Sequence, residues 1–268
     1  MEPFVHSAEH FLEQQKWRQL APYLRVGITT KSGGVSKGRF SSFNCGLHVQ
    51  DVKEDVIENR NKLAESIDFP LDKWVCGEQV HDVRIHEATI SHSGKGSQTV
   101  ESSLTGVDGI FTKEKGILLT AFFADCIPLY YFDPIEEIIG ITHAGWKGTV
   151  KGIAKEMVEK FLANGSKPEN ILVTIGPGIS QKYYEVDEYV VSHIEENFRE
   201  KTLRPKENGR FLLDLKALNR EILLQYGILR HNIDMTNYCT YRDEEIFFSY
   251  RRDEGKTGRM LGFIGMQK

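Results

Sequence analysis

Three short, uncharged apolar segments follow one another in the middle of the chain, and they constrain the fold more than any other feature. They are residues 117–123, 127–132 and 138–142. Apolar runs of this length, bounded by turn residues such as Asp133-Pro134, are typical of buried strands. They are also too short to cross a membrane. The segments therefore predict consecutive strands in the core of a globular domain.

Polar residues stand where these predicted strands end. Asp125 and Cys126 separate the first two segments, and His143 closes the third. Ala144-Gly-Trp-Lys-Gly follows, and then a helical pattern begins. Strand ends beside helix N-termini are common ligand sites in proteins with helices and sheets. The alternative is a buried hairpin whose polar ends carry no function.

Composition excludes several classes of protein. The 268-residue chain has 34 basic and 38 acidic residues, a net charge of -4, so it lacks the basic surface expected of a nucleic-acid or membrane-surface protein. Its first residues have neither the basic start nor the apolar run of a signal peptide. Four cysteines stand far apart without a CxxC pair: Cys45, Cys76, Cys126 and Cys239. Reduced thiols and a cytoplasmic location are expected.

The remaining pattern predicts alternating helices and strands. Apolar spacing indicates helices over residues 52–67, from about residue 150 to a stop at Asn164-Gly165, and over 189–199 and 215–226. Further strands are expected at Leu24–Thr29, 73–76, 171–175 and 246–250. Residues 1–22 resemble a packed or loose N-terminal arm, and residues 91–106 a mobile loop or flap. We predict an α+β fold, a single-domain layered sandwich over residues 1–268 with mixed β-sheets covered by helices.

One residue of the first predicted helix is a candidate ligand-binding group. Arg60 is expected on the more polar side of helix 52–67. In that position it either contacts an anion or forms an ordinary surface interaction with solvent and neighbouring charges.

Cysteine and histidine residues suggest a metal site. A strand would point His81 and His86 to opposite faces, so at most one should share a pocket with Cys126 and His143. One thiolate and two imidazoles suit zinc and leave a fourth position open. The spacing fits no compact zinc motif. A Cys–His hydrolase assisted by Asp125 is an equal alternative at this point, and a packed cysteine near an unrelated histidine is the alternative without function.

Several motifs, taken together and in order, resemble those of a known family. They are Ser42-Phe-Asn-Cys-Gly-Leu-His48, Glu58-Asn-Arg60, Gln79-Val-His81, Val107-Asp-Gly, Ala124-Asp-Cys126-Ile-Pro, His143-Ala-Gly-Trp-Lys-Gly, Ile175-Gly-Pro-Gly, Ser249-Tyr-Arg-Arg and Thr257-Gly-Arg. Over most of its length the chain is similar to the bacterial YfiH/YlmD proteins, long labelled laccase-domain or multicopper polyphenol oxidoreductases. Lys147, where many members carry Arg, is a modest departure.

The resemblance implies a set of ligands and an activity. It implies one zinc per chain held by His81, Cys126 and His143, and the phosphorolysis of adenosine, inosine, guanosine and methylthioadenosine, together with adenosine deamination. Zinc would lower the pKa of a coordinated water for attack on adenine. Asp125 is the nearest carboxylate for moving a proton.

The substrate contacts expected alongside this activity are purine nucleosides and phosphate. Arg60 and His48 are the candidates for a phosphate seat, and the loop from Ser41 to Asn44 is the candidate for binding the nucleoside.

The older copper label fits the sequence less well. The chain contains no His-x-His pair, so it lacks the ligands of a four-copper oxidase, although Cys126 and His143 could hold one copper in place of zinc. A copper-dependent phenol oxidase, a metal-free Cys–His hydrolase and a zinc-stabilised binding module remain the alternatives. The chain is expected to be a monomer or a homodimer.

Overall fold

The computed structural model describes residues 2–268, and Met1 lies outside the described residues. This range contains fifteen strands: β1 (Phe4–Ala8), β2 (Phe11–Gln14), β3 (Leu24–Thr29), β4 (Trp74–Cys76), β5 (Ile85–Glu87), β6 (Gly109–Thr112), β7 (Leu118–Phe123), β8 (Ile127–Asp133), β9 (Ile138–Ala144), β10 (Leu172–Ile175), β11 (Glu185–Val186), β12 (Leu203–Pro205), β13 (Phe211–Leu213), β14 (Ile233–Met235) and β15 (Met260–Met266). It also contains seven α-helices: α1 (Gln15–Leu20), α2 (Lys53–Ile67), α3 (Trp146–Val150), α4 (Ile153–Ala163), α5 (Glu188–Ser192), α6 (Glu196–Thr202) and α7 (Leu215–Gln225).

The strands form two large mixed sheets and one small sheet. The first sheet has the order β1-β2-β3-β15-β7-β4, and only its β7–β4 pair is parallel. The second has the order β14-β10-β8-β9-β6-β5, with parallel pairs at both edges and antiparallel pairs between. The third, β11-β13-β12, is antiparallel.

The two large sheets pack face to face, and helices cover their outer faces. Leu119 and Phe123 of β7 lie in a core shared with Phe132 of β8. The other side of β7 packs against α2, and the other side of β8 packs against α4 and α7. Because these strands are buried on both faces, their sequences are apolar at nearly every position. The predicted α+β sandwich of mixed sheets covered by helices is confirmed, while its extent over residues 1–268 stays a prediction.

The central strands and the long helices were predicted within a few residues, and β3 was predicted at its observed bounds. The helix expected from about residue 150 begins as α4 at Ile153, and the short α3 precedes it as a separate helix, because Gly152 adopts a left-handed conformation with φ of 93°. The helix expected over residues 189–199 is divided into α5 and α6.

Two segments near the chain ends differ from what the sequence suggested. Residues 2–22 are packed and regular rather than a loose arm, because β1 and β2 pair with each other and β2 extends the first sheet through β3. The strand expected over residues 246–250 was wrong, because the Ile246 and Phe247 N–H groups both donate to the Asp243 carbonyl in a turn and residues 247–249 are irregular. The last strand is β15 instead.

Among the helices of residues 2–268, none combines the length and the apolar character needed to cross a bilayer.

Candidate functional site

His81, Cys126 and His143 come together where the two large sheets meet at one end. Their ligand atoms all lie within 4.8 Å of one another, and no other such cluster of three occurs within residues 2–268. The Cys126 Sγ–His81 Nε2 distance is 3.9 Å, and the two imidazole ring centroids are 4.7 Å apart. We call this set the His-Cys-His cluster. His143 lies on β9, Cys126 in the turn before β8, and His81 in the loop after β4.

Asp108, directly before β6, organises two members of the cluster. Its carboxylate accepts hydrogen bonds of 3.0 Å from the backbone N–H groups of Val80, His81 and Asp82, which fixes a turn where His81 has φ of 63°. It also lies 3.0 Å from His143 Nδ1. Because Nδ1 is engaged by the carboxylate, Nε2 of His143 is left to face the cluster. Burial opposes ionisation, yet these hydrogen bonds outweigh it and hold the pKa of Asp108 below its ordinary value.

Two further residues shape the cluster. The Gln79 side-chain amide exchanges hydrogen bonds of 2.9 and 2.8 Å with the backbone of Phe122, which pins the His81 loop to β7. Gly145 follows β9, and a Cβ atom there would lie 3.0 Å from Cys126 Sγ and 3.1 Å from His81 Cδ2. The absence of a side chain at this position therefore leaves the space that the three ligands occupy.

The cluster favours charge separation between sulfur and imidazole. Burial alone would raise the pKa of the Cys126 thiol, but His143 and then His81 lower it to about 6. Burial alone would lower the pKa of His143, but Cys126 and Asp108 raise it to about 9. In the absence of a metal, the arrangement supports a thiolate paired with an imidazolium.

The cluster lies in the wall of a cleft of about 760 Å³. Its apolar lining includes Phe122, Ile179 and Leu215, and its polar and aromatic lining includes His48, Asp125, Trp146, Lys147, Tyr184, Tyr250, Arg251 and Arg259. A volume of this size, with few polar groups among apolar ones, suits a small organic ligand. Cationic side chains at the same cleft suit a ligand that carries negative charge.

Asp125 faces this cleft but is largely buried, and both its carboxylate oxygens are engaged. The Thr240 hydroxyl donates to one oxygen at 2.6 Å, and the Arg251 backbone N–H donates to the other at 2.7 Å. Asp125 has φ of 90°, at the turn that presents Cys126. The carboxylate therefore connects the Cys126 turn to the loop that contains Arg251.

The expectation that Arg60 lies on the polar side of its helix was wrong. Arg60 is only 1% exposed, on the face of α2 that packs against the first sheet. Its guanidinium donates to the backbone carbonyls of Cys45, Gly96 and Ser97 at 2.6 to 2.9 Å and lies over the ring of Phe122. The cost of burying the guanidinium is offset by these hydrogen bonds, which also link loops that are distant in sequence. These donors are occupied by the protein and are not presented to the cleft.

The other expected substrate residues lie in three different places. His48 lines the cleft, and burial together with the charges of Arg259 and Arg60 lowers its pKa. Ser41 lines a separate, polar surface cleft. Asn44 is fully buried, and its side-chain oxygen accepts the backbone N–H groups of Gly46 and Arg259 at 3.0 and 2.8 Å. Asn44 therefore holds the segment that contains Arg259 beside the loop that contains His48.

His86 takes no part in the cluster. It lies on β5, and its Nε2 is 3.1 Å from Nε2 of His92, whose Nδ1 accepts the Thr89 backbone N–H. The two imidazole ring centroids are 4.7 Å apart, so His86 pairs with His92 rather than with the cluster.

Arg259 is a cleft residue to which the sequence motifs assign no role. Its Nη1 donates to the carbonyls of Thr257 and Gly258, whereas Nε and Nη2 have no hydrogen-bond partner among residues 2–268. Its guanidinium lies over the ring of Tyr250, with Cζ 5.7 Å from the centroid. Asp108 was missed in the same way, although an aspartate directly before a buried strand in Val107-Asp-Gly is a detectable signal.

This fold and site have counterparts in known proteins. The family described as multi-copper polyphenol oxidoreductase laccase matches residues 25–267. The chain belongs to the YfiH/YlmD family. A YfiH/YlmD member named purine nucleoside phosphorylase YlmD, from Bacillus subtilis (strain 168), is 40% identical over 272 residues, which cover 99% of this chain and 98% of the relative. A protein of the same name from Geobacillus stearothermophilus is 45% identical over 247 residues, covering 91% and 90%.

Solved structures of YfiH/YlmD proteins have the same architecture. The crystal structure of the hypothetical protein YfiH from Bacillus licheniformis matches with a TM-score of 0.96 at 39% identity, and both chains are covered completely. The structure of YlmD from Geobacillus stearothermophilus matches with a TM-score of 0.95 at 42% identity, again over the full length of both chains.

Proposed function

We propose that this YfiH/YlmD protein is a zinc-dependent purine nucleoside phosphorylase that also deaminates adenosine. The observation that carries the proposal is the convergence of His81, Cys126 and His143 on one point in the wall of a cleft that also presents cationic side chains. The relatives named purine nucleoside phosphorylase support the phosphorylase activity. Adenosine, inosine, guanosine and methylthioadenosine are the proposed substrates, with phosphate as the second substrate.

The donor set fits one zinc ion. A thiolate and two imidazoles are ligands that zinc prefers, and three protein ligands leave one position open. Asp108 orients His143, and Gly145 leaves room beside Cys126 and His81. Bound zinc would supply a Lewis acid with an open coordination position for the deamination of adenosine. One copper could occupy the same ligands, but residues 2–268 offer no second cluster of three for a multicopper centre.

The residues of the chain have separate tasks in this proposal. Phe122, Ile179 and Leu215 provide an apolar wall for the purine. Asp125, whose oxygens keep one lone pair each beyond the hydrogen bonds described, is the proposed carrier of a proton in deamination. Arg259, with Nε and Nη2 unoccupied, is the proposed phosphate seat together with His48. Arg259 therefore replaces Arg60 as the candidate phosphate-binding arginine, because the N–H groups of Arg60 donate to carbonyls within the protein.

Product analysis with adenosine tests the function directly. Zinc-loaded protein should form inosine with or without phosphate, and adenine with ribose 1-phosphate only when phosphate is present. Cys126→Ala, which removes one ligand, should form neither product. Absence of both products in zinc-loaded wild-type protein would contradict the proposed function.

The phosphate seat is tested with Arg259→Gln. Loss of charge-assisted hydrogen bonds, worth ~1.5–3 kcal/mol each, predicts a phosphate KM raised about tenfold or more. The conversion of adenosine to inosine should remain, because that reaction uses no phosphate. Arg242→Gln is the matched control, since Arg242 pairs with Asp243 outside the cleft. An unchanged phosphate KM in Arg259→Gln would show that phosphate binds elsewhere.

One observation favours a second candidate, a metal-free hydrolase. Cys126, His143 and Asp108 form a chain of thiol, imidazole and carboxylate, as in enzymes with a nucleophilic cysteine. This candidate gives no role to His81, which approaches the same sulfur atom. Chelation of the metal separates the two candidates, because it should abolish nucleoside turnover but would leave a cysteine hydrolase active.

The proposal includes a cytoplasmic location, where Cys126 would stay reduced. A monomer or a homodimer is the expected assembly.

A further inference from the structure

Tyr184 brings a phenol into the cleft beside the His-Cys-His cluster. It directly precedes β11, the short edge strand of the third sheet. Its side chain lines the same cleft as Asp125 and Cys126, and it is close enough for the charges of both to act on it. The third sheet therefore contributes to the site, because the residue that directly precedes its strand β11 lines the cleft.

The position of Tyr184 is fixed from several sides. Its carbonyl accepts the Leu213 backbone N–H at 3.0 Å, and its own N–H donates to the Gln181 carbonyl at 3.2 Å. The Arg251 guanidinium lies over the ring, with Cζ 5.2 Å from the centroid, and Arg251 is in turn bonded through its backbone to Asp125. The backbone of Tyr184 is thus held beside the cleft, and Arg251 covers the ring.

The hydroxyl of Tyr184 is free to bind a ligand. It makes no hydrogen bond to residues 2–268, and it is not among the buried polar atoms that are sealed away without a partner. The side chain that carries this hydroxyl lines the cleft. A phenol ionises only near pH ~10, so at neutral pH the hydroxyl keeps its proton and can donate.

We infer that the Tyr184 hydroxyl donates a hydrogen bond to the purine ring of the bound nucleoside, a role that rests on the proposed function. In phosphorolysis a phosphate oxygen bonds to C1′ of the ribose while the C1′–N9 bond breaks. The bonding electron pair goes to the purine, and the proton of hydrogen phosphate ends on the released base. A hydrogen bond donated to the purine becomes stronger as negative charge builds on the ring. The hydroxyl therefore stabilises the transition state more than it stabilises the bound substrate.

Tyr184→Phe tests this role because it removes the hydroxyl and keeps the ring. In zinc-loaded protein with inosine and phosphate, kcat should fall about tenfold or more. The Kd for inosine without phosphate, measured by titration calorimetry, should rise by a smaller factor of about three. Tyr183→Phe is the matched control, since Tyr183 stacks on Tyr241 at 4.5 Å and does not line the cleft. It should change both values less than twofold.

The outcomes separate this role from the proposed function. If Tyr184→Phe stays within twofold of wild type in both kcat and Kd, or if it loses zinc, the inference is overturned. If wild-type protein binds inosine but releases no hypoxanthine, the phosphorylase proposal fails, and the Kd comparison alone decides whether Tyr184 contacts the nucleoside. If wild-type protein neither binds nor converts inosine, both are overturned.

Discussion

Replacing Asp108 with asparagine should lower the free energy of unfolding, because it removes hydrogen bonds that hold the candidate site together. The carboxylate accepts four hydrogen bonds, three from backbone N–H groups and one from His143 Nδ1, and it is 2% exposed. An amide keeps one acceptor oxygen and places an NH₂ group against the donors of the other. Two charge-assisted bonds of ~1.5–3 kcal/mol each are therefore lost, partly offset by relief of the buried charge. We expect the free energy of unfolding to fall by about 3 kcal/mol.

Urea unfolding of the metal-chelated protein measures this loss without a contribution from bound zinc. Asp82→Asn is the matched control, because Asp82 is in the same loop but pairs with Lys151 on the surface, with both side chains about half exposed. Its cost should stay below about 0.5 kcal/mol. With zinc present, Asp108→Asn should also weaken zinc binding ~10–100-fold, since His143 loses its orienting partner. A cost for Asp108→Asn below about 1 kcal/mol, or one equal to that of Asp82→Asn, would refute this account of the site.

The other predictions concern the metal and the buried arginine. Protein purified without added metal should contain about one zinc per chain by elemental analysis. Cys126→Ala should lose that zinc and His86→Ala should keep it, because His86 pairs with His92 outside the cluster; equal loss in both variants would show that the wrong ligands were assigned. Arg60→Met should lower the free energy of unfolding by about 3–5 kcal/mol in a urea titration, because the carbonyls it serves are left buried without donors. A loss below about 1 kcal/mol would mean that water replaces the guanidinium.

The types of residue at the ends of the predicted strands identified more of the candidate site than the spacing between cysteine and histidine residues did. Cys126 and His143 stand at the ends of apolar segments, where a polar residue has few structural reasons to occur. The choice of His81 over His86 came from family resemblance, since alternation along a strand allowed either histidine. In the structure His81 lies in a turn with positive φ rather than on a strand, and Asp108 fixes that turn from 27 residues away.

Arg60 shows why the sequence pattern assigned some residues to the wrong surroundings. Local periodicity reports which side of a helix is apolar, and by that measure a charged residue belongs to the exposed side. The burial of Arg60 depends on carbonyls 15 to 37 residues distant in sequence, which become available only when the loops around residues 45 and 97 fold against α2. Arg259 was overlooked for a related reason, because its place in the cleft depends on the backbone bond to Asn44, 215 residues earlier.

The sequence by itself determined the buried strands β7, β8 and β9 and the helices α2, α4 and α7, because burial on two faces or one imposes a local pattern of apolar residues. Only the tertiary structure decided which polar side chains meet. It brought His81 to Cys126, gave Asp108 its four donors, enclosed Arg60 and left the hydroxyl of Tyr184 free. These contacts join residues that are far apart in the chain. A hydrogen bond between two distant segments produces no repeating pattern of residues in either segment, so the sequence does not reveal it.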